Sequence, residues 1–182
     1  MRVIAGTRRR IQLNTIEGSN TRPTTDRIKE TLFNMIQDEI YGARFLDLFS
    51  GSGQIGIEAL SRGAVFATFV ENNPKAFKCI EDNIKKTKFE AESSLISRDV
   101  LSALSTMKSE PFSIVFMDPP YNTDVERDVL ISLKDKSLID EDSLIIIEAS
   151  LESDFSYVNE IGFDILKEKI YKTNKHTFLT LR

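Results

Sequence analysis

The apolar positions fall into two rhythms. Short, nearly continuous apolar runs alternate with longer stretches whose apolar residues recur every three or four positions. Runs of the first kind predict strands buried on both faces, and the second kind predict helices packed against them. Residues 2–5 and 9–13, separated by Gly6-Thr7-Arg8, form a candidate hairpin. A loop over 14–24 follows, then a helix capped by Thr24 or Thr25 with Ile28, Leu32, Phe33, Ile36 and Ile40 on one face. Beyond Gly42 the alternation is regular, with strands over 44–49, 65–71, 94–98, 112–118 and 143–149. The helices between them cover 54–61, 74–86, 100–107 and 125–135. After residue 150 the pattern changes to a weak helix over 152–161 and two strands, 163–171 and 177–181, about a turn at Thr173-Asn174-Lys175.

This order predicts an α/β fold with a mostly parallel, Rossmann-like sheet and an antiparallel C-terminal strand pair. One domain is expected over 1–182, with 1–40 as a basic N-terminal arm and helix and 41–182 as the core. No repeat, low-complexity tract or linker divides it.

Composition narrows the chemistry. One cysteine excludes an internal disulfide framework and a multi-cysteine zinc site, and one histidine removes most histidine-based metal sites and triads. No metal is therefore expected. No apolar run approaches the ~20 residues that span a bilayer, and Arg8, Arg9 and Arg10 interrupt any signal-like stretch, so a soluble cytoplasmic protein without a membrane partner is expected. The lack of an apolar surface stripe favours a monomer.

The net charge of −4 argues at first against nucleic acid, but its distribution reverses the inference. Residues 1–30 hold seven basic and three acidic side chains, or +4, while the remaining 152 carry −8. Phosphate affinity follows local Lys/Arg density.

The segment Asp47-Leu-Phe-Ser-Gly51-Ser-Gly53-Gln-Ile-Gly56 leaves a strand and opens a helix, the context in which a glycine-rich turn cradles a nucleotide-like ligand. Gly51 and Gly53 allow a sharp turn, and Gly56 allows close helix–strand packing. Asp47 would repel a pyrophosphate and suits a cationic ligand such as the amino-acid end of S-adenosylmethionine; its other reading is a turn-bracing carboxylate. Glu71 ends the next strand, where an acid can accept from ribose hydroxyls. Asp99 follows the third strand, at an adenine amino group, as an N-cap of the next helix, or both.

The strand FSIVFMD runs into Asp118-Pro119-Pro120-Tyr121. Prolines offer no N–H donors, so two of them beside a carboxylate make an acceptor-only site for an –NH2 group. Tyr121 supplies a face on which a base stacks. The chemistry implied is methyl transfer to an exocyclic amine, aligned by acceptors rather than by a histidine base.

DLFSGSGQIGIEALSRGA with FMDPPY resembles class I S-adenosylmethionine-dependent methyltransferases of the amino-methylating branch. With MRVIAG, the arginines at 8–10 and TRPTTDRIKETLFNMI, the chain resembles the RsmD family, which methylates the N2 amino group of a guanine in 16S ribosomal RNA of the small subunit. The resemblance implies S-adenosylmethionine held by Asp47, Ser50, Gly51, Ser52, Gly53, Glu71, Asn72, Asp99 and Val100. It implies a flipped guanine held by Asp118, Pro119, Pro120 and Tyr121. It also implies 16S ribosomal RNA, or a small-subunit particle, met by Arg8, Arg9, Arg10, Arg22 and Arg27. Arg22 has bracing of the cofactor-side loop as an alternative, and Arg27 has pairing with Asp26 or Glu30. The family's usual arm glycine is replaced at Arg9, where a left-handed turn would be strained, and Tyr171-Lys172 stands where Tyr-Gly is usual.

A DNA adenine or cytosine amino-methyltransferase shares DPPY, and an inactive RNA-binding assembly factor or a dinucleotide oxidoreductase shares the glycine turn. The remaining residues read as structure. His176 reads as a surface histidine in a polar turn, Cys79 as helix packing, and Glu148 as a solvated strand end. Phe33, Phe45, Phe49, Phe69, Phe112 and Phe116 read as core.

Overall fold

A computed structural model describes residues 1–16, 26–120 and 125–182. The helix expected after the loop is two, α1 (Asp26–Met35) and α2 (Gln37–Ile40), broken at Ile36. Strands β1 (Arg44–Leu48), β2 (Phe66–Val70), β3 (Ser93–Ile96), β4 (Ile114–Met117) and β5 (Leu144–Ser150) alternate with α3 (Gln54–Ser61), α4 (Pro74–Thr87), α5 (Val100–Thr106) and α6 (Val125–Asp135). A single 3-10 turn (Ser156–Asn159) leads to β6 (Phe163–Ile170) and β7 (Asn174–Leu181).

The seven strands form one sheet in the order β3-β2-β1-β4-β5-β7-β6. The first five are parallel, and β7 runs antiparallel between β5 and β6. This is the mostly parallel sheet with an antiparallel C-terminal pair that the pattern predicts. The chain winds outward from β1 in one direction and from β4 in the other, so a crevice opens between the carboxyl ends of these two strands.

Both faces of the sheet are covered, as continuous apolar strands require. On one face Phe45, Phe69, Phe116 and Ile146 pack with Phe33, Ile57 and Ile80 from α1, α3 and α4. On the other, Leu46, Val115 and Met117 meet Leu104, Leu130 and Leu133 from α5 and α6. Local chemistry sets the helix ends. Asn73 accepts from Lys75 N and Ala76 N ahead of Pro74, and α4 stops at Lys88 in the left-handed region. Asp99 caps α5 by accepting from Ser102 N at 3.1 Å.

Two expectations change. The helix over 152–161 shrinks to one 3-10 turn because Asp154 accepts from both the backbone and the hydroxyl of Ser156, competing with helical hydrogen bonding. The last strand begins at Asn174 rather than Thr177. Pairing with strands on both sides overrides the turn preference of Asn174 and Lys175.

Residues 1–13 form the expected hairpin, with Val3 N donating to Ile11 O and Arg10 N to Val3 O. It is docked on α3. The fully buried Glu58 accepts from Ile4 N at 2.8 Å and Ala5 N at 3.0 Å, and pairs with Arg62 at 2.8 Å and Lys29 at 3.5 Å. Lys29 also donates to Arg2 O at 2.6 Å, and burial pulls its ammonium below the usual lysine range. Val3 and Leu13 thereby join the same core as the sheet face. Among the described residues no helix is long and apolar enough to cross a membrane.

Candidate active site

The site begins where β1 ends. Phe49, Gly51 and Gly53 all have positive φ (59°, 56° and 75°), so the chain reverses within five residues and enters α3. Phe49 is the costly member, since a left-handed conformation strains a side chain with a Cβ. Gly56 answers a different need. A Cβ there would lie 2.4 Å from the Phe69 ring, so glycine lets α3 sit directly on β2.

Asp47 is buried beneath this turn and accepts from Gly56 N at 2.9 Å. The turn-bracing role is thus present. Burial pushes its carboxyl well above the usual aspartate range, opposed by the Gly56 bond and reinforced by Glu71 and Asp118. Glu71 ties two segments together, accepting from Gly51 N and from Asn73 N, each at 2.8 Å. Ser50 Oγ donates to Asp47 O at 2.6 Å and accepts from Val70 N at 3.1 Å. Ser52 and Val100 are buried, while Asn72 and Asp99 are exposed.

Asp118 follows β4, the neighbour of β1. Its surface is open to water, yet surrounding protein atoms and the charge of Glu148 push its carboxyl up to about 7. Pro119 beside it is buried and Pro120 exposed. The predicted Asp47, Gly51, Gly53, Glu71 and Asp118 therefore share one edge of the sheet, while Tyr121 and Arg22 lie outside the described residues.

The arm's arginines divide. Arg8 donates from Nε to Thr87 O at 2.6 Å and stacks over Phe89 at 5.1 Å, so it clamps the hairpin to α4. Arg9, Arg10 and Arg27 are exposed. The left-handed residues of the hairpin are Gly6 (φ 80°) and Arg10 (φ 73°), not Arg9. Lys172 has no positive φ, so its place in the last turn is unstrained. Asp26, one of the two partners considered for Arg27, pairs instead with Arg2 at 3.0 Å.

Two readings are corrected. His176 is not a surface residue but is fully buried in β7, with Nε2 3.2 Å from Glu148 Oε2 and Nδ1 3.2 Å from the Tyr171 hydroxyl. Glu148 is buried at the end of β5 rather than solvated, and also accepts from Asn174 Nδ2. Both corrections follow from β7 starting three residues early. The in-register pairing of β4 with β5, which no local pattern in the sequence carries, puts Glu148 beside Asp118. Cys79 does pack, buried on α4.

Comparison with known proteins gives consistent matches. A model of the family described as conserved hypothetical protein 95 matches residues 1–180. Ribosomal RNA small subunit methyltransferase D of Escherichia coli K12 is 32% identical over 170 residues, 93% of this chain and 84% of that protein. The protein of the same name from Buchnera aphidicola of Acyrthosiphon pisum is 37% identical over 152 residues, 83% of this chain and 78% of its own. The solved structure of yhhF from Escherichia coli superposes with a TM-score of 0.89 at 31% identity, over 100% of this chain and 98% of that one. The strand order is that of class I methyltransferases. With hairpin, turn and strand-end acid all inside the matched span, the chain belongs to the conserved hypothetical protein 95 family, the RsmD methyltransferases.

Proposed function

We propose that this protein is an S-adenosylmethionine-dependent methyltransferase that acts on the exocyclic N2 amino group of a guanine in 16S ribosomal RNA. The observation that carries the reading is the Asp118-Pro119-Pro120 segment, an acceptor-only strand end beside the glycine turn. Relatives named for ribosomal RNA methylation support the substrate class.

The residues present fit the cofactor. A Cβ on Gly51 would meet nothing within 4 Å, so the turn opens onto free space. Glu71 and Asp118 both repel a charge on Asp47, a set that a ligand carrying ammonium and sulfonium charges relieves. Asp47, Gly51, Gly53 and Glu71 would hold its amino-acid and ribose parts, with Ser50, Ser52, Asn72, Asp99 and Val100 along its length. Bound there, S-adenosylmethionine supplies a methyl group on a positively charged sulfur.

The chain's own task is to present the amine. The guanine N2 lone pair is delocalised into the ring, so the amino group is a weak nucleophile. Carboxylate oxygens of Asp118 and the carbonyl of Pro119 accept its two N–H bonds and leave the lone pair pointing outward. The charge that develops on nitrogen is offset by Asp118, which can also take the proton that the amine sheds. Tyr121 would stack on the extruded base, and Arg9, Arg10, Arg22 and Arg27 would meet phosphates, with Arg8 holding their hairpin in place.

Incubation with methyl-labelled cofactor and, separately, naked 16S RNA, small-subunit particles and duplex DNA tests this. Label in N2-methylguanine of the RNA or particle is expected. Label in DNA alone assigns the DNA amino-methyltransferase, and cofactor binding without transfer to any substrate assigns an inactive assembly factor.

A further inference from the structure

A buried acid, an imidazole, an amide and a phenol cluster next to Asp118, and none of them has a part in the reaction described above. Met117 of β4 pairs with Ile147 of β5, so the following residues, Asp118 and Glu148, emerge side by side. Glu148 in turn pairs with His176 of β7. Residues in register share a face of a sheet. Asp118, Glu148 and His176 therefore stand abreast across three adjacent strands, directly beyond the buried row of Phe116, Ile146 and Phe178.

The hydrogen bonds fix both a rotamer and a tautomer. An ionised carboxylate only accepts, so the Nε2 of His176 that faces Glu148 carries the proton. In the neutral ring Nδ1, 3.2 Å from the Tyr171 hydroxyl, then accepts from it. The imidazole is wedged edge-on against Phe116 at 6.1 Å and Tyr171 at 4.9 Å between ring centroids. Asn174 Nδ2 donates to the other Glu148 oxygen. A carboxylate gripped on both oxygens cannot swing away from its neighbour across the sheet.

We propose that His176 is a positioning residue of the methyl-transfer site: it holds the Glu148 carboxylate against Asp118 and so sets the charge state in which Asp118 meets the substrate amine. The inference rests on Asp118 as the amine acceptor. A more basic carboxylate is a stronger acceptor, and one that half-titrates near neutrality can take up and release the product proton. Among the described residues the other titratable groups near this row are Asp47 on β1, Glu71 after β2, Tyr171 after β6 and Lys169, the register partner of His176 on β6. Asp47 and Glu71 are held by the glycine turn, and Lys169 is exposed. Glu148 is the neighbour whose orientation a second layer of side chains controls.

The test follows the Asp118 side-chain carboxyl by 13C NMR against pH in the full chain without RNA, alongside the pH profile of methyl transfer. In the wild type the carboxyl is expected to titrate near pH 7. Glu148→Gln should move that midpoint down by about one unit or more, and the acid limb of the rate profile with it. His176→Gln keeps a donor to Glu148 and should leave the midpoint within ~0.3 unit, whereas His176→Ala should lower it toward the Glu148→Gln value and reduce kcat about tenfold with the cofactor KM unchanged. The 15N shifts of the wild-type imidazole should report the Nε2–H tautomer, a readout that survives even if a variant fails to fold. An unchanged Asp118 midpoint in Glu148→Gln, or an Nδ1–H tautomer, overturns the inference. A wild type that methylates no RNA would defeat the functional reading, while the NMR titration still decides this one.

Discussion

Asp118 shows how one residue trades stability for chemistry. Its carboxyl is raised from the ordinary ~3.9 to about 7, so the folded state binds this proton more tightly than the unfolded chain. The sign follows directly. Folding is opposed as pH rises above ~4, and the opposition is complete once pH exceeds about 7. Asp118→Asn should therefore raise Tm at pH 8, with the gain shrinking toward pH 4, while methyl transfer falls by about 10²–10³-fold and cofactor affinity stays near wild type. Melting curves across pH and calorimetry with S-adenosylmethionine check the two halves separately. Wild-type activity should decline as pH falls through about 7, because a protonated Asp118 has lost the charge that offsets the developing cation and cannot take the amine's proton.

At the scale of elements, the hairpin and α3 are joined through Glu58. Two backbone amides and two cations converge on that one fully buried carboxylate. Such a group stabilises only while every partner is present; removing it leaves the fully buried Lys29 and the partly buried Arg62 without their counter-charge. Glu58→Ala should cost about 3–5 kcal/mol in urea denaturation and expose the amides of Ile4 and Ala5 to rapid hydrogen exchange. Glu58→Gln, which keeps an acceptor oxygen, should cost less. The sequence pattern offers only the Glu58–Arg62 pair, four residues apart; the partners that tie Glu58 to the hairpin and α1, Ile4, Ala5 and Lys29, lie 29 to 54 residues upstream.

Over the whole molecule, the charge is divided between a basic hairpin and an acidic cleft. Of the three consecutive arginines at 8–10, Arg9 and Arg10 face water, whereas Arg8 is spent on Thr87 and Phe89. Arg9→Ala with Arg10→Ala should weaken RNA binding and flatten the slope of log K against log salt by about 1–2. Arg8→Ala should instead lower stability by about 1 kcal/mol. Filter binding over a salt series and thermal melts separate these outcomes; an unchanged slope in the double variant removes the hairpin from the RNA interface.

The strands, four of the helices and the edge on which the site lies were legible in the sequence, because periodicity and the glycine and proline positions are local properties. Gln54–Ser61 and Val125–Asp135 match their expected limits, since a glycine turn and apolar spacing define them without help from neighbours. Asp47, Glu71 and Asp118 could be placed together because each ends a parallel strand. Tertiary pairing alone decided the rest. It extended β7 through a polar tripeptide, drew His176 out of a supposed turn and buried Glu148 beside Asp118. A hydrogen-bonding partner on both sides of a strand outweighs the local preference of its residues, and one of those partners, β5, lies 24 or more residues back along the chain. The sequence by itself determined the sheet, the acceptor-only strand end and the basic arm; only the folded sheet, by setting three strands in register, decided which buried groups govern the charge of the acid at its edge.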